Sequence, residues 1–205
     1  MFDVGANIGM SGQYFRNLGF KGKIVSFEPV SDLFRQLSQT ASKDPLWLCE
    51  NVALGELEGT ETINISGGGG GASSLLMTDG KIQEKDPELG VVGQETVRVS
   101  TLASAMRKYY PDGDRLFLKL DAQGYEKKIL NGGLMELHRV VGMRIEMSIV
   151  RIYQEEPLIY EMLPCLYDLG FRLCAIEEAW SNRETQEVYQ IDATLFRPDK
   201  CGLAH

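Results

Sequence analysis

The first twelve residues, MFDVGANIGMSG, combine a carboxylate with residues that favour tight turns. A short apolar strand runs into Asp3, and Gly5, Asn7 and Gly9 follow at every second position. Glycine permits a sharp bend and a close approach to the backbone, and asparagine tolerates left-handed backbone angles. In an open α/β sheet, a turn between a strand and a helix presents its amides to a ligand beyond the strand end. We therefore predict a ligand site at this turn.

A second carboxylate stands where the ribose of a nucleoside would bind. Glu28 follows the apolar segment KIVSF, 19 residues after Gly9, and an acidic residue at the tip of the second strand accepts ribose hydroxyls. A dinucleotide would need a further glycine for its pyrophosphate, and this turn reads G-A-N-I-G. Asp3 would repel a pyrophosphate but suits a cation. The residues therefore favour S-adenosylmethionine, which carries an ammonium and a sulfonium, over a nicotinamide cofactor.

The segment LFLKLDAQGYE supplies the candidate catalytic carboxylate, Asp121. We expect its strand beside the first strand, where the strand order reverses, so that Asp121 faces the transferred methyl group. A hydroxyl acceptor loses a proton as it attacks, and Asp121 would either take that proton or only hold the acceptor in line. Glu146, near the end of VGMRIEMS, is a second candidate for catalysis or substrate contact. Glu126 begins the next helix, where a carboxylate is favourable in any protein, and is a candidate substrate residue.

Apolar runs alternate with amphipathic stretches along the chain, which indicates an α/β sheet covered by helices. Strands are predicted near 2–4, 23–27, 46–54, 115–120, 140–147, 171–177 and 188–196, and helices near 10–18, 31–40, 101–109, 124–131 and 157–169. No helical pattern separates the last two strands, so we expect an antiparallel hairpin there. The predicted fold class is α/β, Rossmann-like, with a seven-stranded and mostly parallel sheet.

The stretch from about 55 to 99 breaks this alternation and contains five consecutive glycines, 67–71. The segments TETINIS and TVRVS have the pattern of short strands on either side of them. Because glycine loses more conformational freedom on ordering than any other residue, the glycine run is either an unordered surface loop or a lid that orders over a ligand. We predict a single domain, 1–205, with this glycine-rich insertion.

Composition narrows the possible partners. The net charge of −8 argues against a broad attraction to nucleic acid. Apolar runs are shorter than a membrane span, and no basic segment leads into an apolar run at the start. The four cysteines form no CxxC pair, and no histidine has a companion at metal-ligand spacing, so neither a disulfide framework nor a metal is predicted. We expect a cytoplasmic protein that binds neither nucleic acid nor a membrane.

Several segments together resemble the FkbM family of S-adenosylmethionine-dependent methyltransferases. They are FDVGANIG (2–9), VSFEPV (25–30), NVALGELEGT (51–60), SSL (73–75), VSTL (99–102) and LKLDAQGYEKKILNG (118–132). The resemblance implies a class I methyltransferase fold whose last strand is antiparallel, and transfer of a methyl group, usually to oxygen.

The resemblance also implies roles for individual positions. Cofactor contacts would come from Asp3, Gly5, Asn7 and Gly9 at the amino-acid end, Glu28 at the ribose, and Asn51 and Ala53 near the adenine, with Asp121 beside the methyl group. Ser73 and Ser74 match a serine pair of the family and are expected near the substrate mouth.

We therefore predict a methyltransferase that uses S-adenosylmethionine to methylate a hydroxyl on a sugar, glycan or secondary metabolite. The expected partner is a small-molecule or glycan acceptor. Methylation of nitrogen stays open, because the cofactor half would look the same. One alternative is a catalytically inactive module that binds S-adenosylmethionine. A nicotinamide-dependent oxidoreductase is another, disfavoured by Asp3 and the broken glycine pattern.

Overall fold

The computed structural model describes residues 1–113 and 115–201, apart from the side chain of Lys85. Its strands are β1 (Phe2–Val4), β2 (Ile24–Phe27), β3 (Trp47–Glu50), β4 (Ala53–Gly55), β5 (Gly59–Ser66), β6 (Val91–Thr101), β7 (Leu116–Leu120), β8 (Val140–Ser148), β9 (Arg172–Ser181) and β10 (Val188–Phe196). Its α-helices are α1 (Met10–Asn17), α2 (Ser31–Ala41), α3 (Gly80–Lys85), α4 (Leu102–Tyr109), α5 (Glu126–Asn131), α6 (Ile159–Asp168) and α7 (Pro198–Cys201). Short 3-10 helices cover Pro87–Leu89 and Leu134–Arg139.

The main sheet has seven strands in the order β3-β2-β1-β7-β8-β10-β9. β1 pairs in parallel with both β2 and β7, whereas β10 is antiparallel to both β8 and β9. The predicted fold class, including the antiparallel last strand and the terminal hairpin, is therefore confirmed. Because the strand order reverses between β1 and β7, the crevice beyond their carboxyl ends is the expected place for a ligand.

The apolar run 46–54 forms two strands in two different sheets, so the prediction of one strand there is wrong. β3 ends at Glu50, and the chain turns at Asn51, whose side-chain amide donates to the backbone oxygens of Glu28 and Pro29, both at 2.9 Å. β4 then pairs in parallel with β6. This turn carries the chain out of the main sheet and over the end of β2.

The segment 55–99 contains most of a second, three-stranded sheet in the order β4-β6-β5. The predicted strands are present, because β5 and β6 pair antiparallel from Gly59–Val99 to Ser66–Val91. The chain then folds back on β5, where Asn64 and Ser74 exchange backbone hydrogen bonds of 2.8 and 3.0 Å. The glycine run between them forms turns closed by the amides of Gly70 and Ser73. This glycine segment, 67–75, lies over the crevice of the main sheet.

Helices cover both faces of the main sheet. Apolar side chains of α4, α5 and α6 pack with β1, β7 and β8 in one cluster, which includes Leu102, Ile129 and Leu166. Leu37 of α2 and the partly buried Phe15 of α1 belong to a second cluster, with Ile24 and Trp47. Fully burying a large apolar side chain contributes about 1.5–3 kcal/mol, so these layers fix the strand ends that carry the polar residues. Among the described residues, no helix has the length and apolar character needed to cross a membrane.

Candidate active site

A cavity of about 100 Å³ lies at the carboxyl ends of β1, β2 and β7. We call it the first cavity. The turn after β1, the end of β2, strand β4, the glycine segment and the start of α5 contribute to its wall. Its lining includes Gly5, Asn7, Glu28, Ala53, Ser73, Ser74, Asp121, Gln123 and Tyr125. Six of the residues predicted for cofactor or substrate contact thus share one cavity with the predicted catalytic Asp121.

The turn after β1 brings this strand unusually close to the end of β7. Gly5 has a φ of +69°, and a Cβ placed there would lie 1.8 Å from the backbone oxygen of Asp121. Asn7 also adopts a left-handed backbone, with φ of +50°. Gly9 caps α1, and its added Cβ would face Leu37 and Trp47 rather than the cavity. Glycine at position 5 is therefore needed for the two strand ends to come into contact. Gly9 instead packs towards the core and does not line the cavity.

Glu28 is held at the end of β2 by backbone amides. Its carboxylate accepts hydrogen bonds from the amides of Asn7, at 2.8 Å, and Val30, at 2.9 Å. Burial raises the pKa of Glu28 to about 7, although these amides and the charge of Lys119 act in the opposite direction. A carboxylate has about four lone-pair directions. Two remain for ligand hydroxyls at the cavity wall.

Asp3 lies behind the first cavity, not in its wall. It is 0% exposed, accepts a 3.0 Å hydrogen bond from the hydroxyl of Ser26, and faces the ammonium of Lys119 at 3.5 Å without a hydrogen bond. Burial raises the pKa of Asp3, and the Lys119 charge opposes this. Side chains alternate along a strand, and on this side of β1 the neighbouring strands supply Ser26 and Lys119. Direct contact of Asp3 with a cofactor stays a prediction.

Lys119 lies between the carboxylates of Asp3, in β1, and Asp121, just after β7. Its ammonium is 3.2 Å from Asp121 and donates a 3.1 Å hydrogen bond to the backbone oxygen of Gly5. Burial alone would lower the pKa of Lys119, but the charges of Asp121 and Asp3 outweigh it and raise that pKa. The lysine therefore stays charged, and its charge favours the ionised form of the buried Asp3.

Gln123 orients the two candidate catalytic carboxylates, and sequence reasoning did not find it. Its amide nitrogen donates to Asp121 at 2.8 Å and to Glu146 at 2.9 Å, and its amide oxygen accepts from the hydroxyl of Tyr153 at 2.7 Å. Its backbone is left-handed, with φ of +54°, which is uncommon for a residue other than glycine. The only local signal was its place in the D-A-Q-G turn after β7.

Glu146 and Glu126 lie behind the wall that Asp121 and Gln123 form. Glu146 also accepts a 3.0 Å hydrogen bond from the amide of Gln190. Burial, followed by the charge of Asp121, raises the pKa of Glu146 well above its usual range. Glu126 accepts a 2.6 Å hydrogen bond from the backbone amide of Ala122, and burial raises its pKa to about 7. Neither lines the first cavity, so their catalytic and substrate roles stay predictions.

Of the remaining predicted residues, some line the first cavity and others support its wall from behind. Ala53 lies in the cavity wall, whereas Asn51 ties the end of β2 to the turn behind it. Ser74 donates a 2.7 Å hydrogen bond to the backbone oxygen of Gln123, and Ser73 donates to that of Gly70 at 2.8 Å. Ser74 therefore anchors the glycine segment to the turn after β7, whereas Ser73 closes a turn within that segment.

The lining of the first cavity fits a cationic nucleoside. Its charged lining residues in the described structure are two carboxylates, Glu28 and Asp121. Apolar groups such as Val52, Leu54 and Ile63 form another part of the lining and offer a surface for a base. A site of this charge disfavours a pyrophosphate and favours a ligand with positive charge. Glu28, Asn7 and Asp121 are the residues that would hold S-adenosylmethionine here.

Comparison with known proteins identifies the family of this chain. A family model described as the methyltransferase FkbM domain matches residues 3–173. Methyltransferase sdnD of Sordaria araneosa is 26% identical, and the match covers 87% of this chain and 76% of that protein.

Two solved structures share the fold. Methyltransferase FkbM from Methylobacillus flagellatus superposes with a TM-score of 0.56 at 13% identity, over 94% of this chain. The match spans only 42% of that longer chain. An S-adenosylmethionine-dependent methyltransferase from Mesorhizobium loti gives a TM-score of 0.52 at 8% identity, with 96% of this chain and 90% of that chain covered. The family model covers well over half of the sequence, and on that ground the chain belongs to the FkbM methyltransferase family.

Proposed function

We propose that this protein uses S-adenosylmethionine to methylate a hydroxyl oxygen on a sugar, glycan or secondary metabolite. The observation that carries the proposal is the pairing of Glu28 and Asp121 in one cavity at the point where the strand order reverses. Glu28 is the partner for the ribose hydroxyls. The backbone of Gly5 and Asn7 lies along the amino-acid end, and Asp121 lies where the methyl group would meet its acceptor.

The cofactor would supply an electrophilic methyl group bound to positively charged sulfur. In the proposed transfer the acceptor oxygen would bond to that methyl carbon, the electron pair of the broken carbon–sulfur bond would stay with the sulfur, and the acceptor's proton would go to Asp121 or to water. Asp121, paired with Lys119 at 3.2 Å and oriented by Gln123, would accept the hydroxyl proton or direct the oxygen along the line of attack. Both roles need the carboxylate within hydrogen-bond reach of the acceptor.

A small acceptor agrees with the charge of the chain. The net charge of −8 gives no general attraction for nucleic acid or for anionic lipid. We therefore propose a small-molecule or glycan acceptor in the cytoplasm, with neither nucleic acid nor a membrane as partner.

The first cavity is smaller than the ~300–1,000 Å³ of typical small-molecule sites. Its outer wall is the glycine segment, 67–75, in which three consecutive glycines have positive φ. We propose that this segment opens outward to admit the cofactor and then closes and orders over it, which makes it a lid rather than an unordered loop.

The test is transfer of label from methyl-labelled S-adenosylmethionine to a panel of hydroxylated acceptors, with Asp121→Asn as the variant. Asn keeps the shape of the side chain but cannot take a proton. We expect Asp121→Asn to bind the cofactor measurably but more weakly by calorimetry, because Glu28 and Asn7 remain, and to lose methyl transfer, by about 10²-fold or more if Asp121 is a general base. Absence of cofactor binding by the wild type would refute the proposal. Binding without transfer to any acceptor would favour the inactive module.

A further inference from the structure

A second cavity, of about 190 Å³, lies on the other side of the glycine segment from the first. Five parts of the chain surround it: the glycine segment, the 3-10 helix Pro87–Leu89 with the residue before it, the turn after β7, the turn after β8, and the hairpin of β9 and β10. Its lining includes Gly71, Glu88, Gln123, Tyr153, Trp180 and Gln190. Apart from three glycines of the run 67–71, none of the residues singled out in the sequence lines it.

The two cavities share part of their walls. Gly71 and Gln123 line both of them. The hydroxyl of Tyr153, in the second cavity, donates to the amide oxygen of Gln123 at 2.7 Å, and the amide nitrogen of Gln123 donates to Asp121, in the first cavity, at 2.8 Å. A molecule in the second cavity is therefore separated from the candidate catalytic carboxylate by one side chain and one glycine.

The second cavity is lined by polar groups, and an aromatic ring forms one of its sides. Tyr153 and Gln190 are buried, and the ring of Trp180 is held by the ring of Tyr189, with centroids 4.9 Å apart. The hydroxyl of Tyr153 and the amides of Gln123 and Gln190 are fixed by hydrogen bonds to the protein. Fixed polar groups beside an aromatic ring are the usual means by which a small-molecule site orients its ligand.

Charge and volume limit what this cavity admits. Among its lining residues in the described structure, the charged ones are Asp86 and Glu88, at the partly exposed edge. A phosphate or carboxylate brought there would meet two like charges, whereas a neutral or amine-bearing group would not. A volume of about 190 Å³ is below the ~300–1,000 Å³ of sites for drug-sized ligands. It suits one ring rather than several.

We propose that the second cavity binds the methyl acceptor as a single hydroxylated ring, neutral or amine-bearing, and excludes anionic acceptors. The proposal rests on the proposed function, because it assigns a place to the acceptor of that reaction. One acceptor hydroxyl would reach Asp121 past Gly71 and Gln123, while the ring packs beside Trp180. Selection by charge would come from Asp86 and Glu88, away from the reacting atoms.

Trp180 provides a test of binding that does not depend on turnover. The chain has two tryptophans, and Trp47 is buried beneath α1, where its indole nitrogen donates to Ser26. The probes are methyl α-glucopyranoside (neutral), glucosamine (cationic) and glucose 6-phosphate (anionic), each titrated with S-adenosylmethionine present and absent. We expect the first two probes to change the tryptophan fluorescence and glucose 6-phosphate to leave it unchanged. Trp180→Phe should abolish the change, and Trp47→Phe should retain it.

A charge reversal tests selectivity. Glu88→Lys changes the charge at the edge of the cavity by two units, and we expect it to weaken glucosamine binding by about fivefold and to permit binding of glucose 6-phosphate. Glu84→Lys is the matched control, because Glu84 is exposed on α3 and does not line the cavity. Glu84→Lys should leave the preference for glucosamine over glucose 6-phosphate unchanged.

The possible results separate this proposal from the proposed function. A fluorescence response lost in Trp180→Phe, with reversed selectivity in Glu88→Lys, supports the second cavity as the acceptor site. No response to any probe, a response equal in Trp180→Phe, or equal effects of the two lysine variants overturns it, even if labelled methyl is transferred. Failure of S-adenosylmethionine to bind, measured separately by calorimetry, overturns the proposed function.

Discussion

Replacing Lys119 by methionine should destabilise the protein in a way that depends on pH. Methionine keeps an unbranched, flexible side chain but removes the charge 3.5 Å from Asp3 and 3.2 Å from Asp121. Breaking a buried ion pair by removing one partner costs about 3–5 kcal/mol. Asp3 is fully buried and would account for most of this cost, whereas the side chain of Asp121 is 33% exposed and is screened by water. We therefore expect a loss of about 3–5 kcal/mol at pH 8.

The sign of the pH dependence follows from Asp3. Burial already raises the pKa of Asp3, and loss of Lys119 would raise it further. When a carboxyl group has a higher pKa in the folded protein than in the unfolded chain, the folded protein loses stability as the pH rises from the unfolded-state pKa to the folded-state pKa. The difference in free energy of unfolding between the wild type and Lys119→Met should therefore shrink as the pH falls from 8 towards 5, by up to about 1.4 kcal/mol per pH unit.

Urea unfolding followed by circular dichroism at pH 5, 6.5 and 8 measures both effects. Lys108→Met is the matched control, because Lys108 pairs with Glu50 at 2.8 Å but its side chain is 60% exposed. It should cost about 0–1 kcal/mol. A loss below about 1 kcal/mol for Lys119→Met, or one equal at all three pH values, would refute the claim that this lysine compensates a buried carboxylate.

Further predictions concern the turn, the ribose carboxylate and the glycine segment. Gly5→Ala should lower the free energy of unfolding by more than about 1–2 kcal/mol, because φ at this position is positive and the added Cβ would overlap the backbone of Asp121. Urea unfolding measures this loss. The control Gly59→Ala should show little change, because its Cβ would meet nothing within 4 Å. Because the pKa of Glu28 is about 7, affinity for S-adenosylmethionine should fall below pH 7, by up to about tenfold per unit. Calorimetry should show no such dependence in Glu28→Gln. Hydrogen exchange in 67–75 should slow when the cofactor binds, and equal exchange with and without it would contradict closure of this segment.

Short-range patterns were sufficient to predict most of the main sheet. The glycine turn after β1, the carboxylate at the end of β2 and the D-A-Q-G turn after β7 lie at the ends of strands whose apolar runs are easily read. Because parallel strands deliver their carboxyl ends to one edge, Gly5, Glu28 and Asp121 were expected together, and they line one cavity.

Other features depend on contacts between distant segments. The run 46–54 is apolar except for Glu50 and Asn51, and only the hydrogen bonds of Asn51 to the end of β2 show that it divides between two sheets. The side-chain direction of Asp3 depends on its register with Ser26 and Lys119 of neighbouring strands. Gln123 and Tyr153 meet across 30 residues of sequence. No local periodicity contains that information.

The central claim is that the first cavity binds a positively charged nucleoside through the carboxylates Glu28 and Asp121, at the ends of β2 and β7. Calorimetric titration of the wild type and Glu28→Ala with S-adenosylmethionine and with a nicotinamide dinucleotide tests it most directly. We expect the wild type to bind S-adenosylmethionine and not the dinucleotide. Loss of charged hydrogen bonds to the ribose, worth about 1.5–3 kcal/mol, should weaken binding by Glu28→Ala roughly 10- to 100-fold. Equal affinity of the two proteins, or binding of the dinucleotide in preference to S-adenosylmethionine, would contradict it.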